Sequence, residues 1–162
     1  GLSRLPARID AMILLLQRVS RAAVRVGGET VGQIGRGLLV FGCVEPGDGP
    51  DAMDEAARKT VELRVFEDGQ GKMNLDVTQT GGAVLAVSQF TLGADLSRGR
   101  RPGFEGAARP EEARPLFDRY LAALRASGVP VATGSFGAAM EVELVNDGPA
   151  TFHWRTKRRT ND

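Results

Sequence analysis

Two hydroxyls, an amide and one aromatic ring stand together in Ser88-Gln89-Phe90-Thr91, at the end of the apolar run Ala83 to Val87. The small and branched residues of that run predict a buried strand. Polar side chains and backbone N–H groups at its end need partners. The end is therefore either a ligand site or a strand terminus satisfied by the protein itself. Behind it, Arg98, Arg100 and Arg101 alternate with Ser97, Gly99, Pro102 and Gly103 before Phe104. Such a loop suits an anion, and equally a solvated basic turn. A second candidate is Asn146-Asp147-Gly148-Pro149-Ala150-Thr151, set between Val142–Val145 and Phe152–Trp154. Asx-Gly-Pro between two apolar runs predicts a turn, and an X-Pro bond is where a cis peptide is accessible.

Other chemistry is thinly represented. His153 is the only histidine and Cys43 the only cysteine, so a Ser-His-Asp or Cys-His mechanism would have to use His153. No flanking motif supports either, and a lone histidine on a strand is more often structural or exposed. No CxxC, HExxH or carboxylate–histidine cluster points to a metal, and Gly93, Gly99 and Gly103 lack the spacing of a nucleotide-binding loop. No cofactor and no metal are expected.

The 162 residues carry 21 basic and 20 acidic side chains at 42% hydrophobic content. That predicts one domain with a proper core and gives no global charge signal for nucleic acid. One cysteine excludes an internal disulfide and fits a reducing compartment, so a cytoplasmic location is expected. No run approaches the roughly 20 apolar residues of a membrane span. Residues 1–11 lack a secretory h-region and read as an extension or tag remnant. Arg155, Lys157, Arg158 and Arg159 make the C-terminal tail basic, which predicts a solvated end or an added phosphate contact.

The elements that position these residues follow from periodicity. Met12 to Val19 reads as a strand, and Ser20 to Val26 continues it with Ala22, Val24 and Val26 on one face. Gly27-Gly28 predicts a hairpin to 30–34, and Gly35-Arg36-Gly37 turns into a strand over 38–44. A helix is predicted over 51–65, with Met53, Ala56, Ala57, Thr60, Val61 and Arg64 on one stripe. A loop over 66–71, a short extended piece over 72–77 and the site strand 83–92 follow. The helix over 110–127 is marked by Ala113, Leu116, Phe117, Tyr120, Leu121 and Leu124 at helical spacing. Gly128 stands where a C-terminal glycine belongs, and Pro115 is expected in the first turn. Strands are predicted over 131–136, 139–146 and 150–155. Short connections favour antiparallel or mixed pairing over a doubly wound sheet.

Taken together, Ser88 to Leu92, the Arg98–Phe104 segment and Asn146 to Thr151 resemble the D-aminoacyl-tRNA deacylase family, the D-tyrosyl-tRNA deacylase type. Met12-Ile13, Leu15 to Val19, Gly32 to Val40, Gly71 to Leu75 and Ser135 to Met140 look like the family in the same order, over about residues 12–155. The resemblance implies an α/β fold, a mostly antiparallel or mixed, curved, barrel-like sheet with two helices, working as a homodimer. It implies Gln89 and Phe90 for substrate positioning and the oxyanion contact, mainly through main chain, with Ser88 and Thr91 lining the pocket. Thr91 as a covalent nucleophile is the rival role. Gly148-Pro149 is a cis dipeptide in the family and reaches into the partner subunit's pocket as a chiral filter. Arg98, Arg100 and Arg101 would lie near phosphates of the tRNA 3′ end, Phe104 would pack the loop down, and Met140 would be pocket wall or core filler.

Two positions depart from the family pattern: Gly103 where it usually has serine, and Ala150 where it usually has valine. The function implied is hydrolysis of D-aminoacyl-tRNA, and of glycine mischarged on tRNA(Ala), with tRNA as partner and no DNA or membrane. The aminoacyl ester is activated by its own ammonium group, so positioning and oxyanion stabilisation suffice without a histidine or a metal. The alternatives are a non-catalytic aminoacyl-tRNA-binding module and a small-molecule esterase with Thr91 or Ser88 as nucleophile.

Overall fold

Ile13–Val26 forms one strand, β1, to which three others are hydrogen-bonded. Its first half sends Leu14 and Leu16 toward the helices, and its second half sends Val19, Ala22 and Val24 into the concave interior of the sheet. This is the computed structural model of residues 12–156. The extension 1–11 and the tail residues Lys157, Arg158 and Arg159 lie outside the described residues.

On one edge of β1, β3 (Gly37–Cys43) pairs with the first half and β2 (Glu29–Ile34) with the second. Gly27 and Gly28 turn the β1–β2 hairpin with φ of 57° and 84°, the left-handed pair that a primed two-residue turn requires. On the other edge, β8 (Glu141–Arg155) runs the full length of β1. β6 (Ala83–Ser88) lies parallel to β3, and β7 (Val131–Thr133) parallel to β6. A Cβ on Gly32 of β2 would lie 2.2 Å from the Thr133 carbonyl oxygen, so the two ends of the sheet nearly meet and it curls into an almost closed barrel.

Parallel neighbours need crossovers, and the two helices supply them. α1 (Pro50–Glu62) links β3 toward β6, and α2 (Pro110–Ala126) links β6 to β7. Met53, Ala56, Phe117, Tyr120 and Leu124 bury their shared face over the sheet. Tyr120 and Thr60 share a buried 2.8 Å hydrogen bond between the helices, and Arg119 donates twice to Asp54 at 2.9 Å.

Several boundaries differ from those predicted. α1 stops at Glu62 because Val65 and Phe66 must extend into the core, which leaves Arg64 off the helical stripe and exposed. Phe66–Glu67 (β4) and Met73–Leu75 (β5) pair in a region read partly as loop. The site strand ends at Ser88 and gives way to a 3-10 turn, Phe90–Gly93. Pro115 lies in the second turn of α2, not the first. It is tolerated because both it and Glu111, whose carbonyl loses its donor, are exposed. β7 is only three residues long. Asn146 to Pro149 does not reverse the chain: both flanking runs pair with β1 and belong to the single strand β8.

Candidate active site

Gln89 extends the β6 ladder by one bond, donating its N–H to the Gly42 carbonyl at 2.8 Å, and then turns out of the strand. The 3-10 turn begins at Phe90. The first N–H groups of any helical turn have no partner within it. Among the described residues, neither the Phe90 nor the Thr91 N–H has an acceptor. Two adjacent main-chain donors are therefore available, and they are those of Phe90 and Thr91. The Gln89 N–H, expected to share this role, is already committed to Gly42. The Gln89 side-chain amide donates to the Thr91 hydroxyl. The Cys43 thiol donates to the Phe90 carbonyl at 3.6 Å. Burial, and then the charge of Glu45, push that thiol up to about 11, so it stays protonated near neutrality and is no nucleophile there.

A cavity of about 540 Å³ opens at this turn, lined by Ser88, Gln89, Phe90, Phe136, Met140 and the start of α2 at Arg109 and Pro110. Phe104 joins the wall and meets Phe90 edge to face, with ring centroids 5.3 Å apart. Between these two aromatics the chain projects a small hairpin. Asp95 and Gly103 exchange backbone bonds of 2.7 and 2.9 Å, and the Asp95 carboxylate accepts the Ser97 N–H and hydroxyl. Those two bonds hold Asp95 below the usual carboxylate range. Arg98, Arg100 and Arg101 occupy the exposed tip.

The Gly148–Pro149 bond is cis. Around it the register of β8 on β1 jumps, from Thr151 opposite Gln17 to Asn146 opposite Val19, so residues 147–150 loop out of the sheet. Asn146 closes the loop. Its side-chain oxygen accepts the Ala150 N–H at 2.7 Å, and its amide nitrogen donates to Ala150 O and Thr151 Oγ1. From the other side Arg18 donates through Nε to the Asp147 carbonyl at 2.8 Å and through Nη1 to the Val65 carbonyl at 2.7 Å. Gly148 and Pro149 themselves are exposed.

The family model for D-Tyr-tRNA(Tyr) deacylase matches residues 15–155. The chain belongs to the D-Tyr-tRNA(Tyr) deacylase family. It is 56% identical over 142 residues to a D-aminoacyl-tRNA deacylase of Shewanella amazonensis, covering 88% of this chain and 98% of that one. It is 60% identical over 138 residues to a D-aminoacyl-tRNA deacylase of Symbiobacterium thermophilum, covering 85% and 91%. The solved structure of the c-Myc DNA Unwinding Element Binding Protein superposes with a TM-score of 0.84 at 36% identity, over 90% of this chain and 99% of that chain. That of a probable eukaryotic D-amino acid tRNA deacylase gives 0.77 at 17% identity, over 90% and 100%, which shows the common fold.

In this deacylase-family chain the predicted site residues fall into three places. Ser88, Gln89, Phe90 and Met140 line one cavity. Thr91 stands beside it, exposed and tied to Gln89. Gly148 and Pro149 lie on β8, and the three arginines on the hairpin, and none of these five lines the cavity. Met140 is wall and filler at once, since it also packs against the Val19–Val87 cluster. His153 is exposed on β8, with all of β1 between it and Cys43. Arg18 and Asn146 carry more than the sequence reading gave them. The available signal for Arg18 was its place after Leu14 and Leu16 on a buried face, where a cation needs a purpose. Among the described residues, no cluster of His, Cys, Asp and Glu could hold a metal, and no helix is long and apolar enough to cross a membrane.

Proposed function

We propose that this chain hydrolyses the ester of D-aminoacyl-tRNA, and of glycine mischarged on tRNA(Ala), as a homodimer in which each pocket is completed by the partner's Gly148-Pro149. The observation that carries the reading is the pair of uncommitted N–H groups at Phe90 and Thr91, at a cavity holding no histidine and no ionised thiol. Water adds to the ester carbonyl carbon, and the charge that develops on its oxygen is met by those two donors. The bond to the ribose oxygen then breaks, the ribose oxygen takes a proton, and amino acid and tRNA leave. Fixed donors of this kind are each worth about 10²–10³ in rate. A nucleophilic Thr91 is disfavoured because its oxygen already accepts the Gln89 amide and no base adjoins it.

The chiral filter is a wall of main-chain carbonyls rather than an attractive pocket, so it refuses L-residues, admits glycine and tolerates many D-side chains. The distance between loop and pocket within one chain supports a loop supplied by a partner. The 147–150 loop leaves β8 opposite Gln17 to Val19 of β1, level with the start of β3 on the far side of β1, so three strand spacings and about four residues, roughly 20 Å across the sheet, separate it from Ser88. The test is deacylation of matched D- and L-tyrosyl-tRNA by the wild type and by Gly148→Ala. Gly148 has φ of 150°, and an added Cβ would lie 2.7 Å from the Ala150 nitrogen and 3.1 Å from Arg18 Nη2, so the wall must shift. Wild type should clear only the D-ester, and the variant should lose that activity or begin to attack the L-ester. If wild type binds tRNA and leaves both esters intact, the chain is a binding module instead.

A further inference from the structure

A second chamber of about 270 Å³ adjoins the first, and Ser88 and Phe136 belong to the walls of both. It lies along the next turn of α2, where Arg114 and Asp118 face Thr133 and Ser135 across the gap. Its lining is mostly polar, in contrast to the Phe136–Val142 wall of the main cavity. Arg114 and Asp118, both exposed, are four residues apart on one helix, where opposite charges can pair although the arginine-first order is the weaker one. They do not: Arg114 stands over the Phe136 ring at 5.8 Å, and Asp118 has no ionic or hydrogen-bonded partner among the described residues. An exposed carboxylate and a guanidinium set over an aromatic ring thus border a polar chamber beside the proposed site.

Resting on the function proposed above, we infer that this chamber is a subsite for the penultimate cytidine of the tRNA 3′ end, with Asp118 and Arg114 reading the base. The substrate supplies the reason. The residue esterified is always the terminal adenosine, and the nucleotide before it is always cytidine, whereas the amino-acid side chain varies from one substrate to the next. A fixed polar set is useful only to an invariant group. Cytosine presents an amino donor beside a ring-nitrogen acceptor and a carbonyl acceptor. A carboxylate answers the first, as acidic side chains do for the cytosine amine elsewhere, and a guanidinium and two hydroxyls answer the others. The chamber has half the volume of the main one, room for one pyrimidine but not for a nucleoside with its amino acid.

The experiment uses three D-tyrosyl esters: of adenosine, of the dinucleotide cytidylyl-adenosine, and of uridylyl-adenosine. Wild type should prefer the cytidine dinucleotide over adenosine alone by about tenfold in kcat/KM, the scale of one well-placed base contact. The uridine dinucleotide should lose most of that advantage, because uracil turns an acceptor where cytosine has its amine. Asp118→Asn should shrink the cytidine advantage and restore the uridine one, since an amide can donate as well as accept. Both ratios are internal to each protein, so a general loss of fold or turnover does not mimic the result. Equal preference for the two dinucleotides in wild type overturns the base-reading subsite and leaves the deacylase reading standing. So does an unchanged preference in Asp118→Asn. If no D-ester is cleaved, both fall together.

Discussion

At Thr91 the hydroxyl and the main-chain N–H belong to the same residue and make opposite demands on mutagenesis. If the N–H does the work, Thr91→Ala keeps kcat/KM on D-tyrosyl-tRNA within about threefold, because the backbone donor survives. If the hydroxyl were the nucleophile, the loss would be about a thousandfold or more, and an acyl-enzyme would disappear with it. Rapid-quench kinetics on the pair separates the two. The pocket's one buried titratable group behaves as a structural one. Cys43 is raised from 9.0 to about 11 in the folded chain. A raised acid favours the fold while it is protonated, so its contribution is complete below pH 9.0 and is lost as pH rises toward about 11. Denaturant unfolding should show an alkaline loss on the order of 2 kcal/mol across that window. Cys43→Ser should remove the part of the loss that begins near pH 9.0 and leave the fall above pH 10 to which the buried Tyr120 phenol, also raised by its burial, contributes, and a curve unchanged by the substitution would exclude the thiol.

At the level of elements, the 146–151 loop depends on Asn146. Ala150 is 5% exposed and its N–H has the Asn146 side chain as acceptor. Asn146→Ala leaves that donor buried and unpaired, a cost of about 1–3 kcal/mol in urea unfolding. It also loosens the loop at Ala150 and Thr151, so, with the loop as the proposed chiral wall, the ratio of D- to L-tyrosyl-tRNA cleavage should fall together with stability. A stability loss with an unchanged ratio would mean that the loop is scaffold only. How much of this was legible differs by element. The helical stripe of α2 and the Gly27-Gly28 hairpin were readable because local periodicity and backbone freedom decide them. The 3-10 turn at Phe90 was not, because where it begins depends on where the ladder to β3 stops, after the bond from Gln89 to Gly42, distant in sequence. Nor was the continuity of β8. Asn146 to Pro149 has the local chemistry of a turn, and only the long partner strand β1, paired on both sides of it, makes it a loop within one strand. The same blindness hid Arg18, whose partners at Val65 and Asp147 come from two other parts of the chain.

For the whole molecule the decisive point is the separation of the pocket at the end of β6 from the loop on β8, with β1 and β3 between them. Under the function proposed above, an isolated chain would have a pocket without its filter and a filter without its pocket, and activity would be a property of paired chains. Isologous pairing makes this testable without knowing the interface. Gly148→Ala keeps an intact pocket and spoils the loop. Ala138→Trp fills the cavity, which Ala138 helps to line, and leaves the loop untouched. Each homodimer should be defective. After co-refolding, half of the dimers combine one of each, and one of the two sites in such a dimer unites a good pocket with a good loop. About a quarter of wild-type D-tyrosyl-tRNA deacylation should therefore return, over whatever the two homodimers show alone. Dilution should remove it as the chains separate, because the filter and the pocket that regained each other belong to different molecules. Were the site confined to one chain, mixing would restore nothing at any ratio, and the loop on β8 would have to act on some other surface.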